Sequence, residues 1–401
     1  MAEKAKAPAI RFKGFTEDWE QRKAIDIFRT TADKNHPDLP VLSATQEYGM
    51  ILREDTGINI SHDTENEATY KRVWPGQFVI HLRSFQGGFA HANVDGITSP
   101  AYTVMDFIEP KTHYDFFWKY IFSSGKFIKS LEKVTYGIRD GRSISYDDFS
   151  TMSFLYSGFG EQKAIGQLFQ RLDHLITLHQ RKLLKLKNVK TAMLEKMFPK
   201  NGSNVPEIRF AGFTDAWEQR EWVGTVDIST NMVDPKSGDY DELPHVAPGN
   251  IESFTGRLFD NVKTVKEENL ISGKFHFYPG DVIYGKINPQ LGKYVIATFE
   301  GLTSADAYVL NAKNGLDQKF LFTLLQTDNF YKYTVSVSKR SGMPKINREE
   351  LNAYGFSVPK TIEQSQIGSL FLAFDNLITL HQRKLKKLQN VKKSMLEKMF
   401  V

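Results

Sequence analysis

The chain contains no cysteine. Disulfides, thiolate zinc sites and cysteine nucleophiles are excluded together, and the composition fits a reducing compartment. No apolar run approaches the roughly 18 residues needed to cross a bilayer, so no membrane partner is expected. The opening residues, Met1 to Pro8, lack an apolar signal core, which argues against secretion and for a cytoplasmic location. Catalytic motifs are missing too. There is no Gly-x-x-x-x-Gly-Lys-Ser/Thr loop to cradle a nucleotide and no His-Glu-x-x-His zinc helix. Gly87-Gly88 is a glycine pair, not a dinucleotide fingerprint, and Asp317-Gln318-Lys319 has nuclease-like spacing without an upstream acid partner. No segment carries an active-site constellation or a metal-ligand set.

What is present is a repetition. The thirteen residues Ile10 to Arg22 return, with few changes, as Ile208 to Arg220, 198 positions later. The block Asp173 to Leu183 returns as Asp375 to Leu385, 202 positions later, and Met193 to Phe198 returns as Met395 to Phe400. A period near 200 is too long for a solenoid and indicates a tandem duplication. At 401 residues the chain is long enough for two domains with proper cores. Residues 23–160 and 221–362, between the repeated blocks, show little resemblance to each other. Matching frames around different inserts suit a molecule that reads two different things in a fixed geometry. The implied order is a first recognition domain at 1–160, a helix at 161–200, a second recognition domain at 201–362 and a second helix at 363–401. Lys200 to Pro206 reads as a linker by composition.

Both helical segments are basic. Residues 161–200 hold nine Lys and Arg against three Asp and Glu, and residues 363–401 hold seven against three. The net charge of +5 therefore hides two positive segments on a negative remainder. A solvated helix face and a surface near a polyanion account for this equally well. Apolar residues fall at Ile165, Leu168, Leu172 and Leu175, then at Leu183, Leu186, Val189, Met193 and Met197. The second segment repeats the pattern at Ile367, Leu370, Phe374, Leu377, Leu385, Leu388, Val391, Met395 and Met399. These steps of three and four predict helices about 55 Å long. His179 and His381 take the vacant seam position as polar residues that set register. The extra four-residue step around each histidine should locally unwind a supercoil. One narrow apolar stripe wants a partner helix with the same stripe, and the other copy is the obvious partner, antiparallel. In a pseudo-two-fold arrangement, the end of the second helix should lie near the start of the first frame.

The inserts read as mixed α/β, which makes the whole an α+β protein. Strands are expected at 77–82, 102–105, 281–284 and 308–310, and helices at 113–128 and 318–333. Loops beside these elements carry recognition chemistry. In the first insert they offer Arg83 and Gln86, then Arg139, Arg142 and Ser143. In the second they offer Lys286, Asn288 and Gln290, then Lys339, Arg340 and Lys345. Arg and Lys suit guanine edges or phosphates, and Asn or Gln can grip adenine. An ordinary polar surface loop explains any one of these residues as well. Their matched placement in two divergent inserts is what singles out the group. Asn288-Pro289-Gln290 partly resembles the Asn-Pro-Pro-aromatic loop of adenine methyltransferases, but lacks the second proline and the stacking aromatic.

Taken together, the chain resembles the specificity subunits of type I restriction-modification systems over essentially its whole length. The resemblance rests on the two Arg-Phe-x-Gly-Phe-x-x-x-Trp-Glu-Gln-Arg openings, and on the twin segments with Leu-Ile-Thr-Leu-His-Gln-Arg-Lys-Leu and Met-Leu-Glu-Lys-Met-Phe. It implies a non-catalytic subunit with two target-recognition domains, each reading half of a split site in double-stranded DNA. The paired helices would form an antiparallel coiled coil that sets the gap. Modification (methyltransferase) subunits would supply adenine methylation, and restriction (translocase-nuclease) subunits cleavage. S-adenosylmethionine, ATP and Mg would bind those partners, with no cofactor on this chain. The resemblance assigns no base-contacting residue. Two other classes compete: a stand-alone enzyme, and a structural adaptor whose inserts bind proteins.

Overall fold

Each frame ends in a short strand whose partner lies at the far end of its own insert. Glu20–Lys23 pairs antiparallel with Ser153–Tyr156, and Glu218–Glu221 with Gly355–Val358. A computed structural model describes residues 7–57, 64–134, 144–200, 202–339 and 342–400. The chain forms two compact units, Met1–His179 with Lys384–Val401, and Gln180–Arg383. The unit boundaries thus fall inside both long helices.

The divergent inserts share one sheet topology. In the first unit the order is Phe28–Thr31, Thr103–Phe107, Phe78–Ile80, Ala90–His91. In the second it is Val226–Ile228, Ala307–Ala312, Val282–Gly285, Tyr294–Ile296. All neighbours in both sheets are antiparallel. The second unit adds a five-stranded mixed sheet in the order Met232–Val233, Lys274–Phe277, Gly301–Thr303, Pro244–Val246, Lys263–Thr264. Aromatic side chains dominate the main cores, with Phe28, Phe78, Trp118 and Phe122 fully buried in the first and Trp222, Phe320 and Phe330 in the second. Each expected insert helix is broken in two, giving Asp115–Phe122 with Gly125–Leu131, and Gln318–Leu324 with Asp328–Val337. The cause is local. The Ser124 hydroxyl accepts from the Phe127 N–H at 3.2 Å and the Thr327 hydroxyl from the Phe330 N–H at 3.4 Å, so each caps a new helix.

The long helices span Phe159–Lys196 and Thr361–Lys398, 38 residues each, or about 57 Å at 1.5 Å per residue. The repeated frame anchors their first turns. Arg11 holds Glu161 through two hydrogen bonds of 2.7 and 2.8 Å, and Arg209 holds Glu363 at the same distances. A Cβ on Gly166 would meet the Tyr114 ring at 2.6 Å, and one on Gly368 would meet Lys319 at 2.6 Å. Each glycine therefore permits close approach of the first insert helix. Within each unit, half of one long helix packs antiparallel on the opposite half of the other. In the first unit Asp173 pairs with Lys392 and Phe169 stacks on Phe400. In the second Lys190 pairs with Asp375, and Phe198 packs on Phe371. The Ile10 N–H donates to the Lys398 carbonyl at 3.1 Å, so the second helix does end beside the first frame. Ile208 repeats the contact on Lys196 at 3.0 Å.

The helical stripe differs from the one expected. Leu175 and Leu377 are exposed, at 40% and 44%, and Val189 and Val391 also face outward. Buried and half-buried positions run Ile165, Phe169, Leu172, Ile176, His179, Leu183, Leu186, Lys190, Met193, Met197. Ile367, Phe371, Phe374, Ile378, His381, Leu385, Leu388, Lys392, Met395 and Met399 follow the same register. The steps alternate four and three without a break, a heptad period. The extra step at the histidines disappears once Ile176 and Ile378 replace Leu175 and Leu377. Leu168 and Leu370 are half-buried against the two main cores rather than on this repeat.

Candidate nucleic-acid interface

In the second insert, two loops that are distant in sequence are zipped together. Ile287 and Lys345 form an antiparallel bridge. The Asn288 N–H donates to the Pro344 carbonyl at 2.8 Å, and the Ile346 N–H to the Lys286 carbonyl at 3.0 Å. Asn288 adopts φ 51°, a left-handed conformation that asparagine tolerates better than most residues. The Gln290 amide donates to the Asn288 side-chain oxygen at 3.2 Å. Four of the expected residues, Lys286, Asn288, Gln290 and Lys345, therefore share one site. Lys345 and Gln290 are exposed, and Lys286 and Asn288 half-buried.

The centre of this site is Tyr308. Its hydroxyl donates to the Ile346 carbonyl at 3.2 Å. The Lys286 ammonium lies 5.2 Å from its ring centroid and the Arg348 guanidinium 5.8 Å. Arg348 is itself held by the carbonyls of Ile228 and Ser229, at 2.9 and 2.8 Å. Burial lowers the Lys286 ammonium below its ordinary value; Asp306 opposes the shift, and the positive charges of Lys345 and Arg348 add to it. Two cations over one ring and a third, Lys345, close enough to act on Lys286, with the acids Asp306 and Glu349 nearby, make a patch suited to phosphate, flanked by two amides suited to base edges. Sequence reasoning missed Arg348 and Tyr308. Arg348 lies only three residues beyond Lys345 and continues its basic run. Tyr308 sits in a strand and gave no signal.

In the first insert Arg83 and Gln86 are both exposed, on and beside the helical turn Ser84–Gly87. The turn is built from within. The Ser84 hydroxyl accepts from the His81 N–H at 2.8 Å, and the His81 ring nitrogen from the Arg83 N–H at 3.3 Å. Burial, then the Arg83 charge, pushes the His81 ring down to about 4, so it is neutral at physiological pH. Internal packing explains the glycine pair. A Cβ on Gly87 would lie 2.6 Å from Gln46, and one on Gly88, with φ 80°, 2.1 Å from the Phe122 carbonyl oxygen. Lys339 is exposed just beyond helix Asp328–Val337. Arg139, Arg142, Ser143 and Arg340 lie outside the described residues. Among the described residues, no group of His, Asp and Glu is placed to hold a metal ion, and no helix is long and apolar enough to cross a membrane.

The chain is similar in sequence and fold to known proteins. Residues 223–390 match the family described as type I restriction modification DNA specificity domain. The chain is 32% identical over 210 residues to the type I restriction enzyme EcoDI specificity subunit of Escherichia coli, covering 51% of this chain and 46% of that protein. It is 25% identical over 214 residues to the putative type I restriction enzyme MjaX specificity subunit of Methanocaldococcus jannaschii, covering 49% and 48%. The alignments thus span about half the length of these curated relatives. The crystal structure of a type I restriction-modification system S subunit from M. genitalium superposes with a TM-score of 0.65 at 11% identity, over 98% of this chain and 99% of that one. At that identity the likeness concerns the fold.

Proposed function

We propose that this chain is a type I restriction-modification specificity subunit, the DNA-reading subunit of such a complex; the match over residues 223–390 and the 32% identity to the EcoDI subunit support the reading. Each insert reads one half of a bipartite duplex site, and the two long helices fix the separation of the halves. On this reading the chain itself is non-catalytic. Modification subunits bring S-adenosylmethionine and methylate adenine; restriction subunits bring ATP and Mg and cleave. The complex works in the cytoplasm. The observation that carries this reading is the duplication itself: one frame and one sheet topology built twice, around loops of different composition. Shared scaffolding with unshared loops is what two separate sequence readers require, because phosphate contacts position a protein whereas base contacts specify.

The second insert supplies the chemistry. Lys286, Lys345 and Arg348 address phosphate, while Asn288 and Gln290 address base edges. In the first, Arg83 and Gln86 are the exposed pair of equivalent type. The test is to express the chain with its modification subunits in a host lacking other methyltransferases and to sequence the methylome. A single bipartite motif with a constant gap is the expected result. A mobility shift on that motif should weaken steeply with salt. Absence of any methylated motif, together with salt-independent or absent duplex binding, would favour the protein-binding adaptor instead.

A further inference from the structure

Phe254 stands where packing alone does not explain a phenylalanine. It lies at the tip of the hairpin formed by Ile251–Glu252 and Arg257–Leu258. Its φ is 61°, in the left-handed region that bulky side chains rarely adopt. Burial does not offset the strain, since the residue remains 53% exposed. Its neighbours nevertheless hold it in place. The Phe254 N–H donates to the Gly292 carbonyl at 2.8 Å. A Cβ on Gly292 would lie 2.4 Å from the Phe254 ring, so the glycine is what lets the ring come so close. Tyr331 meets the ring edge-on at 5.6 Å, and the Tyr331 hydroxyl donates to the Gln290 carbonyl at 3.4 Å. The ring is therefore fixed on the same loop that presents Asn288 and Gln290.

We propose that Phe254 is a base-stacking residue, presenting its ring to a nucleobase of the DNA bound by the second insert. The inference rests on the DNA-reading function above and names one of its contacts. A single exposed apolar side chain is ordinary and would carry nothing by itself. Here exposure coincides with backbone strain, with a glycine shaped to the ring, and with an adjoining loop of amides and cations. Strain of this kind persists where surrounding structure imposes it, commonly at ligand sites. Both faces of a paired base are covered by its neighbours, so Phe254 would reach a base face as a wedge that partly unstacks one base step, next to the bases whose edges Asn288 or Gln290 reads. The cations Lys286, Lys345 and Arg348 favour a polyanion over an apolar protein surface as the occupant.

The experiment uses the full chain with its modification subunits and duplexes carrying its methylated motif. 2-Aminopurine is placed at successive positions of the half read by the second insert. Wild type should change the fluorescence at one position. Phe254→Ala should abolish that change and weaken binding by about 5- to 100-fold, whereas Phe254→Tyr should keep both. Phe254→Asn separates stacking from packing, because asparagine tolerates positive φ. Its thermal midpoint should hold or rise while affinity falls. A lower midpoint with unchanged affinity would make the ring a packing residue and overturn the inference, as would wild-type fluorescence and affinity in Phe254→Ala. If wild type binds no duplex, the DNA-reading function fails and this inference fails with it.

Discussion

Two ion pairs occupy equivalent places in the helix seams but different surroundings. The side chains of Lys190 and Asp375 are only 11% and 16% exposed, against 27% and 33% for Lys392 and Asp173. Asp173 also accepts a hydrogen bond from the Tyr120 hydroxyl at 2.8 Å. Burial raises the Asp375 carboxyl above its ordinary value, and Lys190 pulls it back down. Lys190→Met should therefore leave a largely buried carboxylate with only the Gln326 side chain and the Arg257 charge to support it, and cost about 2–3 kcal/mol, less than breaking a fully buried pair. Lys392→Met should cost under about 1 kcal/mol, as exposed pairs do. The pH dependence has a definite sign. With a raised folded-state value, Asp375 prefers to be protonated in the fold, so the penalty of ionising it is present at neutral pH. It fades as pH falls through that value. Urea unfolding at pH 7 and pH 5 should show the Lys190→Met deficit shrinking in acid; equal deficits for both variants at both pH values would contradict this. Residue chemistry was only partly legible beforehand. Lys286, Asn288, Gln290 and Lys345 stood out as polar residues beside glycine or proline. Tyr308 and Phe254 did not, because a strand position and a backbone angle gave each its role.

At the scale of the element, the long helices were evident from sequence, but their buried face was not fully so. Leu172, Leu175, Ile176 and Leu178 are all apolar, so more than one stripe satisfies steps of three and four. Phe169 and Ile176 decide between them, and the heptad through Lys190 and Lys392 emerges only from burial. A charge scan separates the two stripes. Leu172→Glu enters a buried position and should cost about 3–4 kcal/mol, the scale of an uncompensated buried charge. Leu175→Glu should stay within about 0.5 kcal/mol of wild type, as for an ordinary surface site. Leu183→Glu, half-buried, should fall between them. Chemical denaturation of the three variants ranks them, and a large loss at Leu175 would restore the stripe first expected. The split insert helices show a second limit. Ser124 and Thr327 were read as interior helix residues, yet their hydroxyls bond the N–H groups of Phe127 and Phe330 and start new helices.

For the whole molecule, the duplication was plain in the frames and helices and invisible in the inserts. The inserts keep sheet order while retaining few side chains in common, because a backbone arrangement constrains only its tightest points. One survives in both: a Cβ on Gly96 would lie 2.5 Å from the Pro40 carbonyl oxygen, and one on Gly301 2.5 Å from that of Pro244. This modularity sets the terms of an insert exchange. Cutting at 23 and 160 would break the Glu20–Lys23 strand and end beside Glu161, which Arg11 holds. Cutting at 24 and 152 leaves the pairing of Glu20–Lys23 with Ser153–Tyr156 intact. Residues 24–152, replaced by the matching segment of a relative with a different motif, should change one half of the methylated site. The other half and the gap should stay as they were, because residues 222–354 and both long helices are untouched. Methylome sequencing of the exchanged chain reads all three quantities at once. If both half-sites changed together, or if the gap moved with the insert, recognition would not be divided between the inserts and the helices would not set the spacing.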